Sequence, residues 1–217
     1  MATSQNPAPV APGRAWTVGG VLLLVSVVFG VAAQAVTTLI GAGGVIRVAV
    51  YAAALLVFAF GLRGSGSVTA RRPLGTAALT VLAVWLVLGQ VFSSVLIAAF
   101  PHDSPPGSLL QFGYIDPFVQ FAAALVAVIQ IARAGVVPAP WNWAPAWALV
   151  AVSVPWLLTQ VIAAGDTQQS ALTPIILIGA LDGLIRVGSA LFLGVLAIVC
   201  GDRLSRSRSR STPSMAD

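Results

Sequence analysis

Six long apolar segments follow one another along the chain, and short stretches rich in polar residues separate them. Each segment approaches or exceeds the roughly 20 apolar residues that an α-helix needs to cross a bilayer. The pattern predicts an all-α integral membrane protein, with six transmembrane helices in a domain at 16–202 and disordered segments at 1–15 and 203–217. The predicted helices cover residues 16–37, 44–62, 74–99, 115–133, 144–163 and 174–200.

Most of the arginines fall at one end of these predicted helices. Arg14 precedes the first helix, and further arginines lie between helices two and three, between helices four and five, and after helix six. The connections at the other end, 101–114 and 164–173, contain no lysine or arginine. Because basic residues collect in cytoplasmic loops, we predict a multi-pass protein of the cell membrane with both termini in the cytoplasm.

Composition narrows the class of protein further. The 217-residue chain is 58% hydrophobic and only 8% charged, whereas soluble domains carry roughly 25% charged residues. The predicted main partner is therefore the lipid bilayer and not nucleic acid, although the pI is about 11.1. The chain has no lysine, no glutamate, one histidine and one cysteine. These residues are too few for most acid–base or metal centres, so we expect no enzyme, no catalytic residue, no metal and no cofactor.

Two nearly identical phrases occur in the chain, LIGAGGVIRV at 39–48 and LIGALDGLIRV at 177–187, with a more divergent third, YIDPF, at 114–118. In each phrase an isoleucine precedes a charged residue. The helix before each phrase holds an aromatic residue followed four or five residues later by a glutamine. We therefore predict three tandem hairpins, arranged as parallel repeats in a ring of six helices. The hairpins cover residues 16–62, 74–133 and 144–202.

The charged residues of these phrases have a similar predicted depth. An arginine at the predicted cytoplasmic end follows each of them after 16 or 17 residues. At 1.5 Å per residue the separation is about 24–25 Å, which places the charges near the outer edge of a hydrocarbon core about 30 Å thick. The glutamines of the preceding helices fall at similar heights. The predicted layer comprises Arg47, Asp116, Asp182, Arg186, Gln34, Gln90 and Gln160.

Two interpretations of this predicted layer remain open. Asp182 lies four residues before Arg186 on one helix face, and Asp116 stands at the same level, so ion pairs could lock the hairpins together. Alternatively, the layer is an outward-facing binding site. Arginine would then hold an anionic group, while Asp116 would supply the opposite charge and could carry a proton.

The sequence thus favours a non-enzymatic function. The best hypothesis is a polytopic membrane protein that binds or transports a small solute or an ion through the predicted layer. The alternative is a non-catalytic structural or accessory subunit of a larger membrane complex. Its partners would be other membrane subunits or a second copy of the chain. Short predicted loops and a shortage of reactive side chains favour this alternative.

Overall fold

The computed structural model describes residues 12–35, 43–62, 66–70, 72–100, 107–137, 141–165 and 172–210. Within these ranges the chain forms six long α-helices, with a one-turn 3₁₀ helix at Trp141–Trp143, and no β-strand. The predictions of an all-α fold and of six helices are confirmed. The helices are α1 (Pro12–Ala35), α2 (Gly43–Phe60), α3 (Pro73–Ala99), α4 (Gly107–Ala134), α5 (Ala144–Gly165) and α6 (Leu172–Arg210).

Five of these helices are long and apolar enough to cross a membrane, and the apolar part of α2, Gly44–Phe60, is slightly shorter. Large apolar side chains lie on their outward surfaces; Leu177, Val161 and Leu74 are 70%, 68% and 64% exposed. A lipid environment accommodates such side chains, whereas water does not. The fold is therefore compatible with a multi-pass membrane protein.

Three helix ends differ from their predicted positions by more than two residues. α1 begins at Pro12 inside the predicted arm, since proline is favoured in the first helical turn. α6 continues to Arg210 inside the predicted tail, where Asp202 and Arg206 form an i,i+4 ion pair that supports its last turns. α4 begins at Gly107 and not at 115. Within the predicted disordered segments at 1–15 and 203–217, residues 12–15 and 203–210 are helical; the remaining residues lie outside the described part, and their disorder stays a prediction.

The helices form a closed ring in chain order. Each packs against its neighbours in sequence, and α6 packs against α1. Among the described residues, no other pair of long helices approaches closely. A ring of six helices was expected from the repeats without a prediction of helix order, and the helix contacts form such a ring. The threefold repeat of hairpins stays a prediction.

Glycines bring α1 and α6 into direct backbone contact. Gly20 faces Gly194, and Gly13 faces Gly201, so the two helices are antiparallel. A Cβ on Gly20 would lie 2.6 Å from the Gly194 carbonyl oxygen, and a Cβ on Gly201 would lie 2.7 Å from that of Gly13. Small residues at helix contacts are typical of membrane proteins, in which close van der Waals packing replaces the hydrophobic drive.

The end of the bundle that carries Arg14, Arg72, Arg133 and Arg203 is called the basic end here. Residues 66–70, between α2 and α3, fold into this end and are called the capping segment. Val68 belongs to a buried apolar cluster with Trp16 of α1, Ile131 of α4 and Cys200 of α6. Because these helices come from different parts of the ring, Val68 lies near the ring axis. The capping segment thus closes the basic end.

Hydrogen bonds hold the capping segment against α2 and α3. Ser67 Oγ donates to the Ala59 carbonyl at 2.6 Å, and the Val68 amide donates to that of Phe58 at 3.0 Å. The hydroxyl of Thr69, which is fully buried, lies 3.0 Å from the Ser67 hydroxyl and 3.2 Å from that of Thr76. The buried polar groups of this segment are therefore paired, as stable burial requires.

Candidate functional site

Contacts between α1, α2 and α6 place three charged residues at one level of the ring. Arg47 of α2 lies against Gly30 of α1, where an added Cβ would stand 2.8 Å from Arg47 Cδ. By the register of the α1–α6 glycine contacts, Gly30 is level with residue 184. Residue 184 is the midpoint between Asp182 and Arg186. Arg47 therefore lies level with this pair, across α1.

Contacts on the other side of α2 bring Asp116 to the same level. Gly44 lies less than one turn from Arg47 and beside the side-chain amide of Gln90 in α3. A Cβ added to Gly44 would stand 3.1 Å from Gln90 Nε2. The residue before Gln90, Gly89, faces Asp116 of α4, whose Oδ1 would lie 3.4 Å from an added Cβ. One level of the ring thus carries a set called here the polar layer: Arg47, Gln90, Asp116, Asp182 and Arg186.

Asp116 is held by neutral hydrogen-bond donors from two helices. Trp85 Nε1 of α3 donates to Oδ1 at 2.7 Å, and Gln120 Nε2 of α4 donates to Oδ2 at 2.7 Å. Asp116 and Gln120 share a helix face with Ala127 and Ile131, which are 2% and 8% exposed. The carboxylate therefore faces the inside of the ring. No cation pairs with it among the described residues.

Asp182 and Arg186 form an ion pair within α6. Arg186 Nε lies 2.6 Å from Asp182 Oδ2, and the side chains are 50% and 26% exposed, respectively. They share a face with the buried Ala197 and Cys200. The pair therefore stands on the inner face of α6. Asp182 Oδ1 is buried and accepts no hydrogen bond within the described part of the chain.

Arg47 has no carboxylate partner in the part of the chain that the structure describes. Its side chain is exposed, and the aliphatic part packs on α1. This arrangement differs from the predicted interpretation in which ion pairs join hairpins. The one ion pair in the polar layer lies within a single helix, and the link between helices is the Trp85–Asp116 hydrogen bond.

Two of the three predicted glutamines have described surroundings, and these differ. Gln90 fills the space beside Gly44, and its Nε2 reaches Ser94 Oγ at 3.5 Å. Gln160 of α5 is partly buried, one turn beyond Trp156, which stacks edge-on against Phe118 of α4 at 5.4 Å. This contact places Gln160 within about one helical turn of the level of Asp116 along the ring axis. Gln34 lies in α1, and its side chain is outside the described residues.

The direct partner of Asp116, Trp85, was missed as a site residue. The sequence contains a signal for it, because an indole N–H in the middle of an apolar helix needs an acceptor when it is buried. Gln120, four residues after Asp116, follows the same helix-face rule that pairs Asp182 with Arg186. Neither signal identifies which helix faces which.

The described residues contain no group of three or more His, Cys, Asp or Glu side chains that could hold a metal. Comparisons with protein-family models, with curated proteins and with solved structures found no match to this chain. The class that the fold defines is an all-helical protein compatible with several membrane crossings.

Proposed function

We propose that the protein binds or transports a small solute or an ion through the polar layer. The observation that carries this proposal is the arrangement along the ring axis. Arg47, Asp116 and the Asp182–Arg186 pair share one level, about 25 Å from Arg133 by the rise of α4. The capping segment closes the basic end beyond them. Such a ring presents charged groups to a solute that enters from the opposite end.

The energetic cost of these charges supports a functional role. A charged side chain within a bilayer costs about 3 kcal/mol at the helix centre and less toward the interface. Replacing a buried ion pair by apolar residues is often neutral or stabilising in proteins. Stability alone therefore gives little reason to keep Arg47, which has no carboxylate partner among the described residues, within an apolar helix, whereas binding of a polar solute gives one.

The placement of the arginines supports access of the solute to the polar layer from the exterior of the cell. Arginines at the basic end favour its location in the cytoplasm by the positive-inside rule. The polar layer would then open to the exterior of the cell, and the capping segment would separate it from the cytoplasm.

A thermal-shift screen of the purified protein in nanodiscs tests the proposal. A solute at free concentration c that binds only the folded state stabilises it by RT ln(1 + c/Kd), so Tm rises with the logarithm of the solute concentration above Kd. Arg47→Gln should abolish the shift and leave the Tm without solute nearly unchanged. Arg133→Gln, which changes an exposed arginine at the basic end, should retain the shift. If Arg47→Gln lowered only the Tm without solute, binding through the polar layer would be refuted.

The second candidate function is a structural or accessory subunit of a membrane complex. One contact favours it: both oxygens of Asp116 are already engaged by α3 and α4 donors, an arrangement that suits a link between helices. Purification in a gentle detergent should then yield a stoichiometric partner. A single chain that binds or transports a solute in proteoliposomes would contradict this candidate.

A further inference from the structure

We infer that the solute of the polar layer is a zwitterion, a small molecule that carries both a cationic and an anionic group, such as an amino acid or a betaine. The inference rests on the proposed function of the layer. It follows from one juxtaposition: Arg47 and Asp116 share a level of the ring, and each lacks an ion-pair partner among the described residues.

The two charges stand too far apart to pair directly, but close enough for a small molecule to bridge them. Arg47 lies at the contact between α1 and α2, and Asp116 at that between α3 and α4. Neighbouring helix axes are about 9 Å apart, so in a six-membered ring these two contacts are about 14 Å from each other. The inference therefore requires the long Arg47 side chain to extend over part of this distance and a molecule of amino-acid size to bridge the rest.

The charge balance of the layer selects against simple ions. Asp182 and Arg186 neutralise each other, so Arg47 and Asp116 are the remaining charges. A simple anion bound at Arg47 would leave Asp116 uncompensated and would be repelled by it. A simple cation bound at Asp116 would leave Arg47 uncompensated and would be repelled by it. A zwitterion compensates both charges at once and brings no net charge into a region of low dielectric.

Free acceptor positions are available for the cationic group. A carboxylate has about four lone-pair sites, and Asp116 uses one on each oxygen, for Trp85 and Gln120. An ammonium group can therefore bind there without displacing either donor. At the same level, the buried Asp182 Oδ1 accepts no hydrogen bond within the described residues.

Three probes test the inference: glycine betaine as the zwitterion, acetate as its anionic half and tetramethylammonium as its cationic half. Each is titrated into the purified full chain in nanodiscs, with Tm and tryptophan fluorescence as readouts. The betaine should bind at least tenfold more tightly than either half. A half that binds as tightly as the betaine would overturn the inference but leave a solute-binding role intact. No response to the betaine or to a panel of free amino acids would also overturn the inference, whereas the screen with Arg47→Gln decides the proposed function separately.

Charge variants distinguish binding from a structural role. Asp116→Asn should weaken betaine binding at least tenfold and shift the preference toward acetate, because an uncompensated Arg47 then remains. Arg47→Gln should weaken it equally and shift the preference toward tetramethylammonium. Asp202→Asn, at an exposed ion pair outside the polar layer, serves as the matched control and should change neither. Equal losses for all three probes, without a change in preference, would refute the assignment.

Discussion

Replacement of Gly201 by alanine is expected to force α1 and α6 apart. The added Cβ would stand 2.7 Å from the Gly13 carbonyl oxygen and 2.9 Å from Thr17 Oγ1, whereas ordinary contacts begin near 3.4 Å. The helices would have to separate locally by the difference, about 0.7 Å, since a backbone carbonyl cannot rotate away as a flexible side chain can. Overpacking of this kind costs about 1–3 kcal/mol. Alanine regains up to about 1 kcal/mol through its higher helix propensity.

Gly188, on the same helix, provides the matched control. No atom lies within 4 Å of a Cβ at this position, so Gly188→Ala should gain the helix propensity without the clash. The free energy of unfolding should therefore differ between the two variants by about 1–3 kcal/mol, because the propensity gain cancels. Denaturant titration in micelles, followed by circular dichroism, measures this difference. Equal stability of the two variants would refute direct backbone contact between α1 and α6.

Three further perturbations test other parts of the molecule. Trp85→Phe should lower the free energy of unfolding by about 1–2 kcal/mol. The same substitution should cost less in an Asp116→Asn background, which a double-mutant cycle of unfolding free energies measures. Ser67→Ala removes a buried hydrogen bond of 2.6 Å to α2, so it should cost about 1 kcal/mol in the same assay and increase proteolysis at the capping segment. In a Cys200→Ser background, the Thr212→Cys variant should react with an impermeant maleimide only after cells are permeabilised. Labelling of intact cells would contradict the predicted cytoplasmic location of the C-terminus.

The number of helices was predictable because each long apolar run satisfies its own backbone hydrogen bonds as a helix, and polar stretches separate the runs. Their ends were less predictable. Hydropathy detects the edge of the apolar run, but a helix can continue past that edge, as α6 does between Arg203 and Arg210. There, an i,i+4 ion pair and not apolar burial supports the helix.

The common level of Arg47, Asp116 and Arg186 follows from the constant rise of an α-helix, so spacing along the chain was sufficient to predict it. Their partners depend on a different variable, the rotation of each helix about its own axis. Spacing does not determine that rotation, and the pairing of Asp116 with Trp85 and not with an arginine was therefore missed.

A seven-residue spacing of glycines carried information about helix contacts that hydropathy did not use. Gly13 and Gly20 in α1 have the same spacing as Gly194 and Gly201 in α6. Two turns of a helix return a residue to nearly the same face, so each pair marks one stripe of small residues. The sequence alone does not show that these two stripes face each other.

Closure of the ring by α1 and α6 has a consequence for biogenesis. The glycine stripe of α1 finds its partner only when α6 has entered the membrane, after the four intervening helices. In a membrane the growing chain would until then be an open arc, and the faces of α2 and α4 that carry Arg47 and Asp116 would be accessible to lipid. Because chains begin to fold while they are being made, an unfinished or truncated chain would expose these charges. We therefore expect membrane quality control to recognise chains that lack α6 and to degrade them faster than the complete protein.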